Sequence, residues 1–180
     1  GLTVEPGTGL ASRVQRGKVQ LPEDELQNAM LFEARDVLTR SGYVHYEVSS
    51  YAQPGHMAVH NSGYWEGRPY LGLGAGAHGF VSPKRWENIR PPQRYIEGAL
   101  AGHPTDWEET LDDQTLRFER VMTGLRRLDV GVDLGPDFQY FFEPIEKHRK
   151  TGWLQVDGTR ICVTEEGLRW MNALLVDFVP

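Results

Sequence analysis

The sequence predicts an α/β segment followed by a mostly α C-terminal domain with a small β-hairpin, in a winged-helix-like order. Three observations predict it. Residues 2–5 and 44–48 read as strands on either side of an amphipathic helix. A stretch rich in glycine, proline and aromatics follows over 52–110, and from Thr110 the order becomes helix, helix, hairpin, helix. The chain divides accordingly into residues 1–82, a connecting segment 83–109, and a C-terminal unit 110–180.

Each element has its own signal. "LTVE" reads as a strand and "PGTG" as a turn. "LPEDELQNAMLFEARDVLTRSGY" places Leu26, Met30, Ala34, Val37 and Leu38 at helical spacing, with acidic residues in the first turn and Gly42 at the exit. "YVHYEVSSY" then alternates Val44, Tyr46 and Val48 against His45, Glu47 and Ser49, as a strand does. A strand–helix–strand crossover requires a parallel sheet with covered faces, so further partner strands are expected in polypeptide outside these residues. "PQRYIEGAL" suits a short helix. Thr110 and Asp113 resemble a capping pair ahead of the stripe Phe118, Val121, Met122, Leu125 and Leu128. A second helix is expected over "PDFQYFFEPIEKHRK", bent at Pro144. In "GWLQVDGTRICV" a hairpin turns on Asp157-Gly158, and Thr164 caps a last helix carrying Leu168, Met171, Leu175 and Phe178.

Composition narrows the function classes. The chain has 180 residues, 39% hydrophobic and 24% charged, which is ordinary for a globular protein. No apolar run approaches the roughly 20 residues needed to cross a bilayer. The N-terminal residues lack the basic and apolar regions of a signal peptide. A net charge of −6 speaks against nucleic acid, and the acidic balance beyond residue 110 weakens a DNA-binding reading of the winged-helix order. The single cysteine, Cys162, rules out an internal disulfide or a multi-cysteine metal site within the chain and reads as a small core residue.

Two neighbouring stretches carry the chemistry. "HNSGYW" covers residues 60–65, and "YLGLGAGAHGF" follows within a few positions. Gly74-Ala75-Gly76-Ala77-His78-Gly79 matches G-x-G-x-x-G, but a dinucleotide site needs a helix to open at those glycines. The continuation "FVSPKRWENIRPP" carries Pro83, Pro91 and Pro92, which oppose a long helix. Alternating glycines instead permit close approach of backbone to a flat ligand or to another segment of chain. His60 is a candidate metal or haem ligand, although a lone histidine is more often structural. Tyr64 and Trp65 either stack on a planar ligand or simply bury area. Glu5 and Glu47, on the two expected strands, either share a pocket or pair with arginines.

"LTVEPGT", "YEVSSYAQPGHMAVHNSGYW", "YLGLGAGAHGF", "ERVMTGLRRLDVGVDL" and "CVTEEGLRW" occur in the order and spacing of one family. From residue 2 to 178 the chain resembles the C-terminal half of HemW-type proteins. These are radical SAM relatives of oxygen-independent coproporphyrinogen III oxidase, and H-N-x-x-Y-W is the most specific piece. The resemblance implies that "LTVE" and "YEVSS" are the last strands of a partial (βα)6 TIM-like radical SAM barrel. Residues 1–82 would be the C-terminal part of that barrel and 110–180 the HemN-type helical domain. The cluster motif C-x-x-x-C-x-x-C is not in this chain, so the [4Fe–4S] cluster and most of the S-adenosylmethionine (SAM) site would belong to an N-terminal barrel half.

The resemblance further implies site roles. His60 would be the axial ligand to haem iron, with Asn61, Tyr64 and Trp65 shaping the pocket. Thr3, Gly74, Gly76, Ala77 and His78 would lie near SAM, with Gly72 helping the backbone approach. The implied function is haem binding and delivery to an apo-haemoprotein, in the cytoplasm or at the membrane periphery. The alternative is part of a coproporphyrinogen III dehydrogenase, against which HNSGYW counts. By itself the chain is expected to bind no cluster and to generate no 5′-deoxyadenosyl radical.

Overall fold

The computed structural model describes residues 4–179. Leu2 and Thr3, half of the strand expected over 2–5, lie outside them; Val4 and Glu5 lead into a turn. Thr8 caps helix α1 (Gly9–Gln15), its hydroxyl accepting from the Ala11 N–H at 3.1 Å. Helix α2 (Asp24–Arg40) follows the expected pattern, with Asp24 and Glu25 in its first turn. Its stripe is uncovered among the described residues: Leu26 is 54% exposed and Met30 58%. On another side, Phe32 lies under the guanidinium of Arg169 at 3.8 Å, and Arg35 pairs with Glu165 at 2.9 Å.

Strand β1 (Val44–Glu47) stands where alternation put it, but its partner differs from expectation. It turns at Val48-Ser49 into β2 (Ser50–Ala52), an antiparallel pairing with Val44 opposite Ala52. The parallel neighbour expected at 2–5 is not formed by Val4 or Glu5. Helix α3 (Val59–Trp65) contains HNSGYW. A three-stranded antiparallel sheet follows, β3 (His78–Val81), β4 (Lys84–Asn88) and β5 (Thr105–Thr110), with α4 (Pro92–Leu100) between β4 and β5. The glycine run therefore opens into a strand, not a helix.

The C-terminal unit holds most of the core. Helix α5 (Asp113–Gly124) is capped by Asp112 rather than by Thr110, its carboxylate accepting from the Thr115 N–H at 2.8 Å. Strand β6 (Val132–Asp133), a 3-10 turn (Gly135–Phe138) and α6 (Phe142–Lys150) come next. Pro144 sits in the first turn of α6, where its missing N–H is not needed, so it starts the helix instead of bending it. Strands β7 (Leu154–Asp157) and β8 (Arg160–Val163) form the hairpin. Asp157 pairs with Arg160, so the turn is Gly158-Thr159, one residue beyond the expected pair. Gly158 supplies the positive φ that its place in the turn demands. The last helix is broken at Trp170 into α7 (Glu165–Arg169) and α8 (Met171–Val176), with Thr164 capping as expected.

Strand β6 adds a third member to the hairpin, in the order β6-β8-β7. Against this sheet Val121, Leu125, Leu134, Ile145, Ile161 and Leu174 are fully buried, a single apolar cluster of the kind that dominates folding energy. The β1–β2 hairpin is joined to this unit through main-chain atoms. Val48 N–H donates to Arg126 O at 3.2 Å and Leu128 N–H to Tyr46 O at 3.1 Å. The Tyr46 hydroxyl also accepts from the Ala58 N–H at the start of α3, at 3.3 Å, which holds α3 to the same unit.

Candidate functional site

A helix places residues four apart on one face, and α3 does so with His60 and Tyr64. The exposed His60 ring shares a 2.8 Å hydrogen bond between Nε2 and the Tyr64 hydroxyl, edge-on at 4.9 Å between centroids. Tyr64 in turn meets Tyr70 edge-to-face at 4.6 Å, and Tyr70 tilts over Phe80 at 6.2 Å. Burial, with Tyr64 as the next cause, pushes the Tyr70 hydroxyl above its ordinary 10.0, so it stays protonated. Trp65 lies under the Arg126 guanidinium at 4.6 Å. Asn61 is half-buried and makes no side-chain hydrogen bond among the described residues.

Tyr70 and Phe80 exchange both main-chain hydrogen bonds, at 2.8 and 2.9 Å, and so pinch off the loop 71–79. Inside it Asn88, 3% exposed, donates to the carbonyls of Gly72 and Gly74, each at 3.0 Å. The Tyr95 hydroxyl accepts from the Gly74 N–H. A Cβ at Gly72 would stand 2.3 Å from the His78 carbonyl oxygen, so here the close approach is to another segment of this chain. Gly74, Gly76 and Ala77 thus lie in one hydrogen-bonded turn that leads into His78 at the start of β3, next to α3 through Tyr70. Thr3 is outside the described residues. Glu47 is 2% exposed and takes the arginine reading, accepting from Arg126 at 3.1 Å and from the Ser49 N–H at 3.2 Å. Glu5 is exposed and does not join it.

Beside α3 opens a cleft of about 970 Å³, within the range of small-molecule sites. Tyr64, Trp65, Tyr70 and Phe80 contribute aromatic surface to its lining, and α5 and β6 contribute Leu116, Arg117, Arg120 and Val132. His60 is not in the lining; its hydrogen-bond partner Tyr64 is. Reading the sequence alone missed Tyr70, Phe80 and the α5 arginines. Arg117 and Arg120 sit three apart beside the apolar stripe, on what looks like any solvated helix face until the fold closes a cleft over it.

The residues fit a flat, partly apolar ligand with an imidazole close by. They do not fit a cysteine-held cluster, since the sequence has one cysteine, Cys162, which lies in β8. Among the described residues no three histidine, cysteine or acidic side chains come together to hold a metal ion.

A family model described as the HemN C-terminal domain matches residues 111–170. The chain is 37% identical over 178 residues to the heme chaperone HemW of Mycobacterium tuberculosis, covering 97% of this chain and 45% of that protein. It is 32% identical over 203 residues to the mitochondrial radical S-adenosyl methionine domain-containing protein 1 of Mus musculus, covering 99% and 45%. Among solved structures, coproporphyrinogen III oxidase (HemN) of Escherichia coli, a radical SAM enzyme, is similar with a TM-score of 0.67. That likeness spans 88% of this chain and 42% of that one at 19% identity, and shows the fold alone. The chain spans less than half the length of the HemW and mitochondrial relatives.

Proposed function

The chain is of the HemW type and corresponds to the C-terminal part of such proteins, and from that premise we propose that it binds haem beside α3 as part of a haem-delivering protein. The observation that carries the proposal is the joining of H-N-x-x-Y-W to a cleft. Tyr64 and Trp65 of the motif line a space of ligand size, and His60 is hydrogen-bonded to one of them.

His60 would hold the haem iron through a ring nitrogen. Bound there, haem supplies an iron centre that accepts a coordinate bond from a neutral imidazole nitrogen. For Nε2 to serve, the Tyr64 hydroxyl must release it; for Nδ1 to serve, that same hydrogen bond holds the ring and fixes its tautomer. Tyr64 and Trp65 present apolar faces to the ligand, and Asn61 supplies a side-chain amide with no partner among the described residues. A ligand set of one exposed imidazole and an open cleft suits release as well as capture, which delivery to an apo-haemoprotein requires.

The remaining assignments follow from the family. Gly74, Gly76, Ala77 and His78, with Thr3, are proposed to lie near SAM in the full-length protein. The [4Fe–4S] cluster would be held by its N-terminal part. Residues 1–82 and 110–180 are proposed as barrel-derived and C-terminal units joined by 83–109, with a cytoplasmic location and peripheral contact with membrane.

The test is a haemin titration of the chain, followed in the Soret region and by tryptophan fluorescence, with His60→Ala alongside. The expected outcome is a saturable Soret shift of histidine-ligated haem that His60→Ala abolishes, with tryptophan fluorescence reporting any haemin still held without the iron bond. Binding that His60→Ala leaves unchanged removes His60 from the site. The absence of any saturable binding removes the haem reading for this chain.

A further inference from the structure

The charge of the cleft runs against that of the chain. On a protein of net charge −6, its lining holds six arginines and no lysine, against five carboxylates. Four of those carboxylates are already engaged: Glu66 by Arg68 and Arg127, Glu119 by Arg85, Asp133 by Arg160, and Asp137 by Arg117 and Arg120.

The Asp137 pairing is the informative one. Arg117 and Arg120 lie three residues apart on α5, and the two oxygens of Asp137 hold them side by side, Arg117 Nε at 3.1 Å and Arg120 Nη1 at 3.3 Å. Arg120 is tied further by its second terminal nitrogen to the Asp133 carbonyl oxygen. Arg117 rests over the Tyr140 ring at 5.2 Å. An arginine offers five N–H donors in a rigid fork. With Nε occupied, the two terminal nitrogens of Arg117 make no hydrogen bond among the described residues, and the Arg120 Nε is likewise unused. The pair is oriented by the protein and still has its outer donors to give, the arrangement that recognises carboxylates in two-pronged fashion.

We infer that Arg117 and Arg120 are the anion-reading end of this cleft, taking carboxylates of a planar ligand whose apolar body lies against Tyr64, Trp65, Tyr70 and Phe80. The inference rests on the haem reading above and deepens it, because haem is such a ligand and its two propionates supply the carboxylates. Iron ligation by His60 and carboxylate capture by α5 are then two separate handles on one guest. A tetrapyrrole without iron keeps the second handle, and an esterified one keeps the first.

The experiment uses the chain with three probes, haemin, haemin dimethyl ester and iron-free protoporphyrin IX, read by absorbance and tryptophan fluorescence. Haemin is expected to bind about tenfold or more tightly than its dimethyl ester, the loss that two charge-assisted contacts in an open cleft imply. Protoporphyrin IX is expected to retain binding in His60→Ala. The double variant Arg117→Gln, Arg120→Gln should weaken haemin to the level of the ester and leave the ester unchanged, with far-UV dichroism and melting showing that it folds. Equal binding of haemin and ester to the wild-type chain overturns the inference without recourse to any variant. If His60→Ala still abolishes haemin binding in that case, the haem reading stands while the arginine assignment falls. If haemin does not bind at all, both fall together.

Discussion

Substituting Gly131 by alanine isolates the cost of a close backbone approach at the edge of the cleft. Gly131 has φ +59°, a region that an alanine enters at about 1–2 kcal/mol. Its Cβ would also stand 2.2 Å from the Ile161 carbonyl oxygen and 3.0 Å from Cys162 Cα, where ordinary contact begins at 3.4 Å. Those atoms are main chain of β8, so no side chain can swing away. Relief requires β8 to withdraw from β6, which costs the short Val132–Ile161 and Asp133–Arg160 ladder and loosens a fully buried Ile161. Lost hydrogen bonds and overpacking add about 2–3 kcal/mol. The sum is about 4 kcal/mol, or a fall in melting temperature of about 8–16 °C for a chain of this size. Gly158 is the control, with φ +60° and nothing within 4 Å of an added Cβ. Gly158→Ala should lose only the backbone part, about 1–2 kcal/mol. Thermal and urea unfolding of the two variants give the difference directly. Equal losses for both would show that the approach of β8 to Gly131 constrains nothing.

Two further outcomes are expected. Glu47→Ala strands the Arg126 guanidinium, but Arg126 is 32% exposed, so the loss should be about 2 kcal/mol rather than the 3–5 of a fully buried pair. Adding Arg126→Met should recover part of it in urea denaturation, and a Glu47→Ala variant as stable as wild type would remove the pair from the fold's supports. Burial holds the His45 imidazolium below its ordinary 6.5, against the pull of its hydrogen bond to the Val48 carbonyl. The unfolded chain then binds a proton at His45 more readily than the folded one. Its contribution is therefore complete above pH 6.5 and declines as the pH falls below that value. Stability followed from pH 7 to 5 should show this slope, and His45→Gln should flatten it; an unchanged slope would assign it to other groups.

Local signals in the sequence were readable where neighbours in the chain decide the structure. Periodicity located α2, the apolar stripe of α5 and the β7–β8 hairpin, and Thr164 announced its cap. Errors arose where the deciding partner is distant. Thr110 looked like a cap because Asp113 follows it, yet β5 recruits Thr110 opposite Lys84 and leaves capping to Asp112. HNSGYW holds a glycine and two aromatics, weak helix formers, but it coils where Tyr46, Trp65 and Arg126 support it. Of the motif, Tyr64 and Trp65 line the cleft and His60 does not. The cleft did not show, because Tyr70, Phe80, Arg117 and Arg120 come from three separate elements and meet only through tertiary packing.

The seam between the β1–β2 hairpin and the segment just after α5 includes two main-chain bonds, Val48 to Arg126 and Leu128 to Tyr46. A bond of that kind does not depend on which amino acid stands at the position. Side chains along it can drift over evolutionary time without moving α3 relative to α5, provided the backbone keeps its course. Glu47 and Arg126 are the exception, where the join depends on a particular pair of residue types. Tyr70, Phe80, Arg117 and Arg120 take no part in that joint, so what the cleft accepts can be changed there without rebuilding its frame, whereas Trp65, under the Arg126 guanidinium, belongs to both.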